Sequence, residues 1–252
     1  MQPSALSGMF DRGASRYDLL VGLNPGYHAE LRRAAEALAE RVGRPDVKAI
    51  DLACGSGAST RALVDALPDE ATVLGLDASP GMLAQAEAKS WPAGVSFATA
   101  VAGDLDTEAL GRETWDGILS AYLFRNIPEP DRDAAVAEVF DLLAPGGWIV
   151  VQEYSVAGRR RATCLWHLVC WSIIIPLGVV VDRNLGLYRY LWRSVLEFDD
   201  LQRFGDRLCA AGFTDVAHRD AVGWQRGILH TFAARKPGQP LCARAGSGVG
   251  MR

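Results

Sequence analysis

Residues 49–59 read AIDLACGSGAS, and this stretch decides the fold of the 252-residue chain. A short apolar run passes Asp51, and the chain then turns through Gly55 and Gly57. Such a run is typical of a buried parallel strand that meets a helix at a glycine-rich turn. Because glycine has no Cβ, a ligand can approach the backbone closely, and the next helix offers free N–H groups at its start. The stretch therefore predicts the ligand-binding corner of an α/β domain.

A second predicted strand, residues 72–77, ends in Asp77, twenty residues after Gly57. A carboxylate at the tip of the second strand is placed to hold the two hydroxyls of a ribose. The turn reads D-x-A-C-G-S-G rather than the G-x-G-x-x-G of a dinucleotide fold, so the ligand need not carry phosphate. Together these features resemble motif I of the class I S-adenosylmethionine (SAM)-dependent methyltransferases. The alternative is a tight strand–helix turn that binds no ligand.

Composition and charge argue against several classes of protein. The hydrophobic fraction of 49% supports one sizeable domain with a full core. The net charge of -4 and the pI near 5.6 argue against a nucleic-acid partner, because phosphate binding needs a basic face. The five cysteines are scattered and the four histidines are dispersed, so we expect neither a disulfide framework nor a metal site. The N-terminus has no cationic-then-apolar signal segment, and we expect a cytoplasmic protein.

Strands alternate with helices as far as residue 153. Beyond the first two strands, the sequence predicts strands at residues 95–100, 115–122, 148–153, 215–219 and 228–235, and helices at residues 27–42, 60–67, 80–86, 130–143 and 200–211. This alternation predicts an α/β fold with a doubly wound, mostly parallel seven-stranded sheet, which is Rossmann-like.

The region ahead of the first strand has two interpretations. The segment that contains Tyr17, together with the helix at residues 27–42, forms a helical lid over the cofactor in the methyltransferase interpretation. The alternative is a capping helix that only covers apolar sheet surface. Residues 1–8 and 237–252 are expected to be disordered, which leaves residues 9–236 as the methyltransferase domain.

The alternation stops at an apolar insertion, residues 156–198, which follows the fifth strand. Arg159, Arg160 and Arg161 precede a long apolar stretch from Ala162 to Val181. Its length and cationic flank suit a transmembrane helix, but the strands after it must pair with the first five. We therefore favour an insertion that walls an apolar pocket or dips into a membrane surface. A helix buried in the core is a further alternative.

Several stretches resemble the ubiquinone/menaquinone biosynthesis C-methyltransferase family, over roughly residues 9–236. The matching elements are Met9-Phe10-Asp11, Tyr17-Asp18, Asp51–Gly57, Gly81-Met82-Leu83, Phe124-Arg125-Asn126-Ile127, Pro145-Gly146-Gly147, Gln152-Glu153-Tyr154-Ser155, Ile175-Pro176-Leu177-Gly178, Tyr188-Arg189-Tyr190-Leu191 with Ser194, and Gly227–His230. The glycine turn is shared by methyltransferases at large, whereas the Arg-Asn and Tyr-Arg-Tyr-Leu elements are more specific. The family's acidic-Leu-Pro-Phe run is replaced by Asp106–Leu110, which leaves the exact substrate open.

The resemblance implies SAM as the cofactor and methyl transfer to a ring carbon of a lipophilic, prenylated quinol. It implies the following cofactor-binding residues: Tyr17, Asp51, Ala53, Gly55, Ser56, Gly57, Asp77, Ala78, Met82, Gly103, Asp104, Leu105 and Ser120. Tyr122, Tyr188, Tyr190 and His230 are expected to line the substrate pocket. The resemblance leaves open a peripheral contact with the inner face of the membrane and a homodimer.

The same resemblance implies that Arg125 and Asn126 are catalytic. Arginine does not lose its proton readily, so Arg125 is expected to stabilise a phenolate and orient a water that carries the proton away, while Asn126 holds a substrate oxygen. The structural alternative is that Arg125 forms an ion pair and Asn126 caps the loop. Two other functions stay open. One is O- or C-methylation of another lipophilic phenol, and the other is a SAM-binding regulatory or lipid-binding module without catalysis.

Overall fold

In a computed structural model, which describes residues 26–182 and 185–238, seven strands form one sheet. The strands are β1 (Lys48–Leu52), β2 (Thr72–Asp77), β3 (Val95–Thr99), β4 (Trp115–Ala121), β5 (Leu143–Tyr154), β6 (Thr214–Asp220) and β7 (Leu229–Arg235). The helices are α1 (Tyr27–Val42), α2 (Ala58–Ala66), α3 (Pro80–Glu87), α4 (Arg132–Leu142), α5 (Arg160–Val169), α6 (Ile175–Asp182), α7 (Leu185–Leu196) and α8 (Leu201–Ala210). The predictions for Tyr17, for residues 1–8 and for residues 239–252 lie outside the described residues.

The order of the strands across the sheet is β3-β2-β1-β4-β5-β7-β6. All neighbouring pairs are parallel except β5 with β7 and β6 with β7. The predicted doubly wound, mostly parallel seven-stranded sheet is therefore confirmed. Between β1 and β4 the strand order reverses, and in open α/β sheets ligands bind outside the carboxyl ends of the strands at such a point.

Helices cover both faces of the sheet. On one face, α1 and α2 bury Leu38 and Leu63 against Ala49 and Val150 of the sheet. On the other face, residues of α4 and α8 form a second cluster that contains Phe204 and extends to Ile118. Because both faces are covered, the central strands are apolar runs rather than alternating ones, which is why the sequence pattern identified them.

Strand β5 begins earlier than the sequence predicts. The Pro145-Gly146-Gly147 segment was expected to separate a helix from a strand at Trp148, but α4 ends at Leu142 and β5 runs from Leu143. Leu143 pairs with Trp115 of β4, and the register then shifts before Gly117 pairs with Trp148. This irregularity absorbs the proline and the glycines within the strand.

The apolar insertion forms three helices, with a π-helical turn at Cys170–Ile174 between α5 and α6. Residues Arg160–Val180 form a helix that is long and apolar enough to cross a membrane by length and composition, yet only 22% of its most apolar window is buried. This low burial contradicts the alternative of a core helix. Strand β5 precedes the insertion and β7 follows it. The two strands pair with each other, so the chain before the insertion and the chain after it belong to one sheet.

Candidate active site

The turn after β1 adopts left-handed backbone conformations at Ala53 (φ 65°), Gly55 (φ 55°) and Gly57 (φ 89°). A Cβ on Gly57 would lie 2.8 Å from the Trp91 ring, so space as well as the backbone conformation requires glycine there. Lys89 Nζ also donates to the Ser56 carbonyl at 2.7 Å. The segment after α3 therefore closes over the outer side of this turn and holds its shape.

Asp51 is completely buried below the turn. Its Oδ2 accepts hydrogen bonds from Ser59 Oγ at 2.8 Å and from Thr60 Oγ1 at 2.6 Å, which ties β1 to the start of α2. Within the described residues, Oδ1 has no hydrogen-bond partner. Burial raises the pKa of Asp51 to about 7. A buried carboxylate oxygen without a partner fits a cationic ligand group, and SAM carries such groups on its methionine portion.

Asp77 ties the turn to the second strand. Its Oδ2 accepts the Gly55 N–H at 2.8 Å, and its Oδ1 accepts the Ser79 N–H at 2.8 Å. Ser79 then caps α3, because its Oγ accepts the Met82 N–H at 3.1 Å. This carboxylate lies at the end of β2, where a ribose-binding residue is expected, and the predicted binding residue Ala78 follows it directly.

Gly103, Asp104 and Leu105 follow β3 at the same edge of the sheet. The Gly103 and Leu105 N–H groups donate to the Glu138 carboxylate of α4 at 2.8 and 3.1 Å. Asp104 is exposed, which keeps it available to a ligand, whereas the Leu105 side chain packs into the core. Glu138, which the sequence analysis did not single out, therefore holds this loop in place.

The segment after β4 turns sharply at Tyr122, whose φ is 63°. The Tyr122 carbonyl accepts Asn126 Nδ2 at 2.8 Å and Arg125 Nη1 at 2.8 Å. From below, Arg132 Nε donates to the carbonyls of Phe124 and Ile127 at 3.2 and 3.1 Å. The four-residue element from Phe124 to Ile127 is thus fixed from both sides.

Arg125 is paired with Glu153 at the end of β5. Their side chains are 8% and 0% exposed, and Arg125 Nη1 lies 2.6 Å from Glu153 Oε1. Glu153 also accepts the Arg125 backbone N–H at 3.2 Å through Oε2 and the Tyr154 N–H at 3.0 Å through Oε1. The guanidinium carbon lies 5.5 and 5.8 Å from the ring centroids of Tyr122 and Tyr154. A cation is therefore held rigidly among aromatic faces at the carboxyl edge of the sheet.

Four aromatic rings form a column that connects α1 with α5. The stacked pairs are Tyr27–Tyr122, Tyr122–Tyr154 and Tyr154–Trp166, with centroid separations of 5.4, 5.1 and 5.5 Å. Tyr27 begins α1, whose central residues cover the sheet. The helix at residues 27–42 therefore caps apolar sheet surface and also reaches the site through Tyr27. Its predicted action as a lid stays a prediction.

The predicted substrate residues occupy different positions. Tyr190 lies on α7, and burial raises the pKa of its phenol. Tyr188 is buried and packs closely against Gly178 of α6.

His230 is completely buried, with Nδ1 2.8 Å from Asp220 Oδ1 and Nε2 3.1 Å from the Ser155 carbonyl. Both ring nitrogens are engaged within the fold, so this geometry gives no support to substrate contact by His230.

Buried polar atoms without partners cluster around the end of β4. In the described part of the chain they include Ser120 Oγ, Asn126 Oδ1 and both amide atoms of Gln152. Gln152 and Glu153 belong to one of the elements that resemble the family, and the resemblance implies no role for either residue. The sequence signal that could have identified these two residues as site candidates is their place as polar residues directly after the apolar run of β5. Among the described residues there is no cluster of metal-binding side chains.

Comparisons with known proteins agree with this geometry. The profile of the ubiE/COQ5 methyltransferase family matches residues 2–236. A demethylmenaquinone methyltransferase of Beutenbergia cavernae is 31% identical over 236 residues, which are 93% of this chain and 92% of the relative. The ubiquinone/menaquinone biosynthesis C-methyltransferase UbiE of Rhizobium etli is 28% identical and covers 85% of this chain and 83% of its own length.

The fold also resembles a solved methyltransferase structure. The phosphoethanolamine N-methyltransferase 2 of Haemonchus contortus, in complex with SAM, superposes with a TM-score of 0.62 at 17% identity, covering 90% of this chain and 57% of that one. At this identity the likeness concerns the fold alone. The family match over most of the chain, with the turn and acidic residues at the switch point, leads to one conclusion. The chain belongs to the ubiE/COQ5 methyltransferase family and is a SAM-dependent methyltransferase.

Proposed function

We propose that this enzyme methylates a ring carbon of a lipophilic, prenylated quinol, as in menaquinone or ubiquinone biosynthesis. The names of its relatives support a quinone-type substrate. The observation that carries the proposal is the buried pair of Arg125 and Glu153, whose guanidinium lies beside the stacked rings of Tyr122 and Tyr154 at the carboxyl edge of the sheet. Flat aromatic walls and a fixed guanidinium suit an aromatic ring whose oxygen gains negative charge.

SAM, when bound, supplies the methyl group as an electrophile. The residues that would hold SAM are those of the turn after β1, together with Asp51 beneath this turn and Asp77 beside it. The protein's own task is to make the quinol carbon nucleophilic. Arg125 stabilises the oxygen anion of the deprotonated hydroxyl, since a preorganised donor aimed at developing charge lowers the barrier. This charge makes the ring carbon ortho to the C–O⁻ carbon nucleophilic. That carbon would take the methyl group as the carbon–sulfur bond of SAM breaks, and its ring proton would leave through a water that Arg125 orients.

We infer further that the enzyme attaches peripherally to the inner face of the membrane, where a prenylated substrate resides. The row of exposed apolar residues on the insertion supports this, with Leu168 63% and Val180 78% exposed and Trp171 and Ile173 also exposed. Arg160 and Arg161 are exposed at the start of α5, where they suit anionic head groups, each adding about 1 kcal/mol. A homodimer and the lack of a nucleic-acid partner stay predictions.

Vesicle flotation tests the membrane contact. Binding to vesicles that contain anionic phospholipid is expected to weaken with salt and to fall when Arg160 and Arg161 are both replaced by Gln. The matched control is Arg112→Gln, since Arg112 is an exposed arginine that pairs with Asp141 away from the insertion. The same loss in the control, or no flotation of the wild type, would contradict the proposal. Protein retained after high salt and carbonate would instead indicate an integral attachment.

The catalytic proposal is tested by methyl transfer from labelled SAM to a panel of reduced quinols and unrelated lipophilic phenols. We expect turnover of prenylated quinols, a fall in kcat of about 10²-fold or more for Arg125→Ala, and SAM affinity near that of the wild type. Arg125→Lys should rescue poorly, because lysine lacks the planar guanidinium. Turnover of the phenols alone, or a near-normal kcat for Arg125→Ala, would overturn the proposal.

A further inference from the structure

Gln152 is a polar residue near the carboxyl edge of the sheet. It is completely buried at the end of β5, and in the part of the chain that the structure describes neither its amide nitrogen nor its amide oxygen has a hydrogen-bond partner. An amide side chain can donate two hydrogen bonds and accept two. Buried polar groups are nearly always paired, so such a group calls for a functional explanation.

Gln225 provides a comparison for Gln152. Gln225 is also buried, and its Nε2 donates to the Tyr154 hydroxyl at 2.9 Å. Within the described residues, one buried glutamine therefore has a side-chain partner and the other has none. An apolar side chain of similar length at position 152 would cost the ligand-free protein less, because it has no polar group to desolvate.

The position of Gln152 relates it to the proposed quinol site. Its backbone carbonyl accepts the Tyr122 N–H at 2.8 Å, and the Tyr122 carbonyl accepts Arg125 Nη1 and Asn126 Nδ2, each at 2.8 Å. Gln152 pairs across the sheet with Ala121 of β4 and Thr231 of β7. Ser120 Oγ and Asn126 Oδ1, which lie at the end of β4 and in the element that follows it, also lack partners among the described residues. Gln152 is thus bonded through its backbone to Tyr122, the residue whose carbonyl anchors Arg125.

We propose that Gln152 binds a hydroxyl of the quinol and makes the enzyme prefer the reduced ring to the oxidised one. This inference rests on the proposed function. A quinol hydroxyl donates its proton to the amide oxygen, whereas a quinone oxygen has no hydrogen to donate and leaves that amide oxygen unpaired. Sites that hydrogen-bond a substrate hydroxyl discriminate strongly against analogues without it, because the buried partner is then left unsatisfied.

The test compares Gln152→Met with the matched control Gln225→Met. If Gln152 awaits a ligand, Gln152→Met should keep or raise Tm, by about 2–4 °C, while Gln225→Met should lower Tm because it breaks a made bond. With a short-chain demethylmenaquinone reduced by dithionite, Gln152→Met should raise KM about tenfold or more, and SAM affinity by calorimetry should stay unchanged. Inhibition by the oxidised quinone should change less than KM, so that the preference for the quinol falls.

The outcomes separate the inference from the proposed function. Failure of the wild type to methylate any quinol overturns the proposed function. A wild type that methylates the quinol beside a Gln152→Met variant with unchanged KM overturns this inference alone and assigns the amide to a buried water. Weakened SAM binding in the variant also overturns it, since the amide would then face the cofactor. If Gln152→Met does not fold, Gln152→Glu is the second variant. It keeps an acceptor oxygen for the quinol hydroxyl, so the quinol preference should persist, and a folded Gln152→Glu variant that loses this preference would contradict the role.

Discussion

Replacing Glu153 by glutamine tests whether the buried carboxylate positions Arg125. Glutamine has the same shape but no charge, so the 2.6 Å contact with Arg125 Nη1 loses its charge-assisted character. Both carboxylate oxygens of Glu153 accept hydrogen bonds, from the backbone N–H and side chain of Arg125 and from the Tyr154 N–H. In the glutamine variant the amide NH2 replaces one of these oxygens, so it must face an N–H donor. The guanidinium keeps its bond to the Tyr122 carbonyl.

The size of the effect follows from this geometry. Breaking a buried ion pair by removing one partner costs roughly 3–5 kcal/mol, since the other charge is left buried. Part of this cost lowers the free energy of unfolding, and part is relieved when Arg125 moves. A displacement of about 1 Å in a catalytic group costs roughly 10²-fold in rate. We therefore expect Glu153→Gln to lower kcat by about 10²-fold, with SAM affinity unchanged.

The assay is steady-state methyl transfer to a reduced quinol, with SAM affinity from calorimetry and folding from near-ultraviolet circular dichroism. Asp116→Asn is the matched control, because Asp116 accepts from Arg44 Nη1 at 2.8 Å and from the Lys48 N–H at 2.9 Å at the opposite, amino end of β4. It should leave kcat unchanged. Glu153→Asp should recover part of the lost rate by restoring the charge. A folded Glu153→Gln variant with kcat within about threefold of the wild type, which is under about 1 kcal/mol, would refute the positioning role.

Three further predictions concern the SAM turn. Asp77→Ala should weaken SAM binding by roughly 1.5–3 kcal/mol in calorimetry, because it removes the expected ribose contact and a charged acceptor of two backbone N–H groups. An unchanged affinity would show that Asp77 does not belong to the SAM site. The pKa of Asp51 is raised to about 7 in the folded protein, from 3.8 in the unfolded chain. The contribution of Asp51 to the free energy of unfolding is therefore fully present below pH 3.8, and it is lost as the pH rises from there through about 7. The Tm of the ligand-free protein should therefore fall over this range relative to Asp51→Asn, and parallel profiles would contradict the shift. Gly57→Ala should lower the free energy of unfolding by about 2 kcal/mol or more in denaturant titrations, because residue 57 has a positive φ and a Cβ there would lie 2.8 Å from Trp91. Gly103 also has a positive φ but has open space around it, so Gly103→Ala should lower the free energy of unfolding by about 1 kcal/mol. Equal losses in the two variants would show that contact with Trp91 adds nothing to the cost.

The elements that sequence reasoning predicted well are those set by local pattern. The turn through Gly55 and Gly57 depends on residues that are adjacent in the sequence, and the structure contains it. The start of β5 was missed, because the pairing of Leu143 with Trp115 depends on a partner strand that no local window contains. Local chemistry at Pro145 to Gly147 argued for a break, and cross-strand pairing overrode it.

The site was predictable in part for the same reason. Arg125 was singled out from its motif, but its pairing with Glu153 joins residues 28 positions apart and depends on β4 and β5 lying in register from Gly117 to Ala121. His230 was expected at the substrate because of the family resemblance. In the folded chain it lies opposite Asp220, because the antiparallel register of β6 and β7 brings the two together, and its contact with the substrate stays a prediction. Chemistry that depends on register therefore became visible only in the folded chain.

The most direct measurement of the central claim is the position of the transferred methyl group. The wild-type enzyme is supplied with SAM labelled with ¹³C at its methyl group and with a short-chain prenylated quinol kept reduced, and the product is examined by ¹³C NMR. The account predicts a labelled methyl on a ring carbon, formed by the wild type and lost with Arg125→Ala. A labelled methyl on oxygen would contradict it, because an oxygen nucleophile has no ring proton to lose and needs no proton-carrying water beside Arg125.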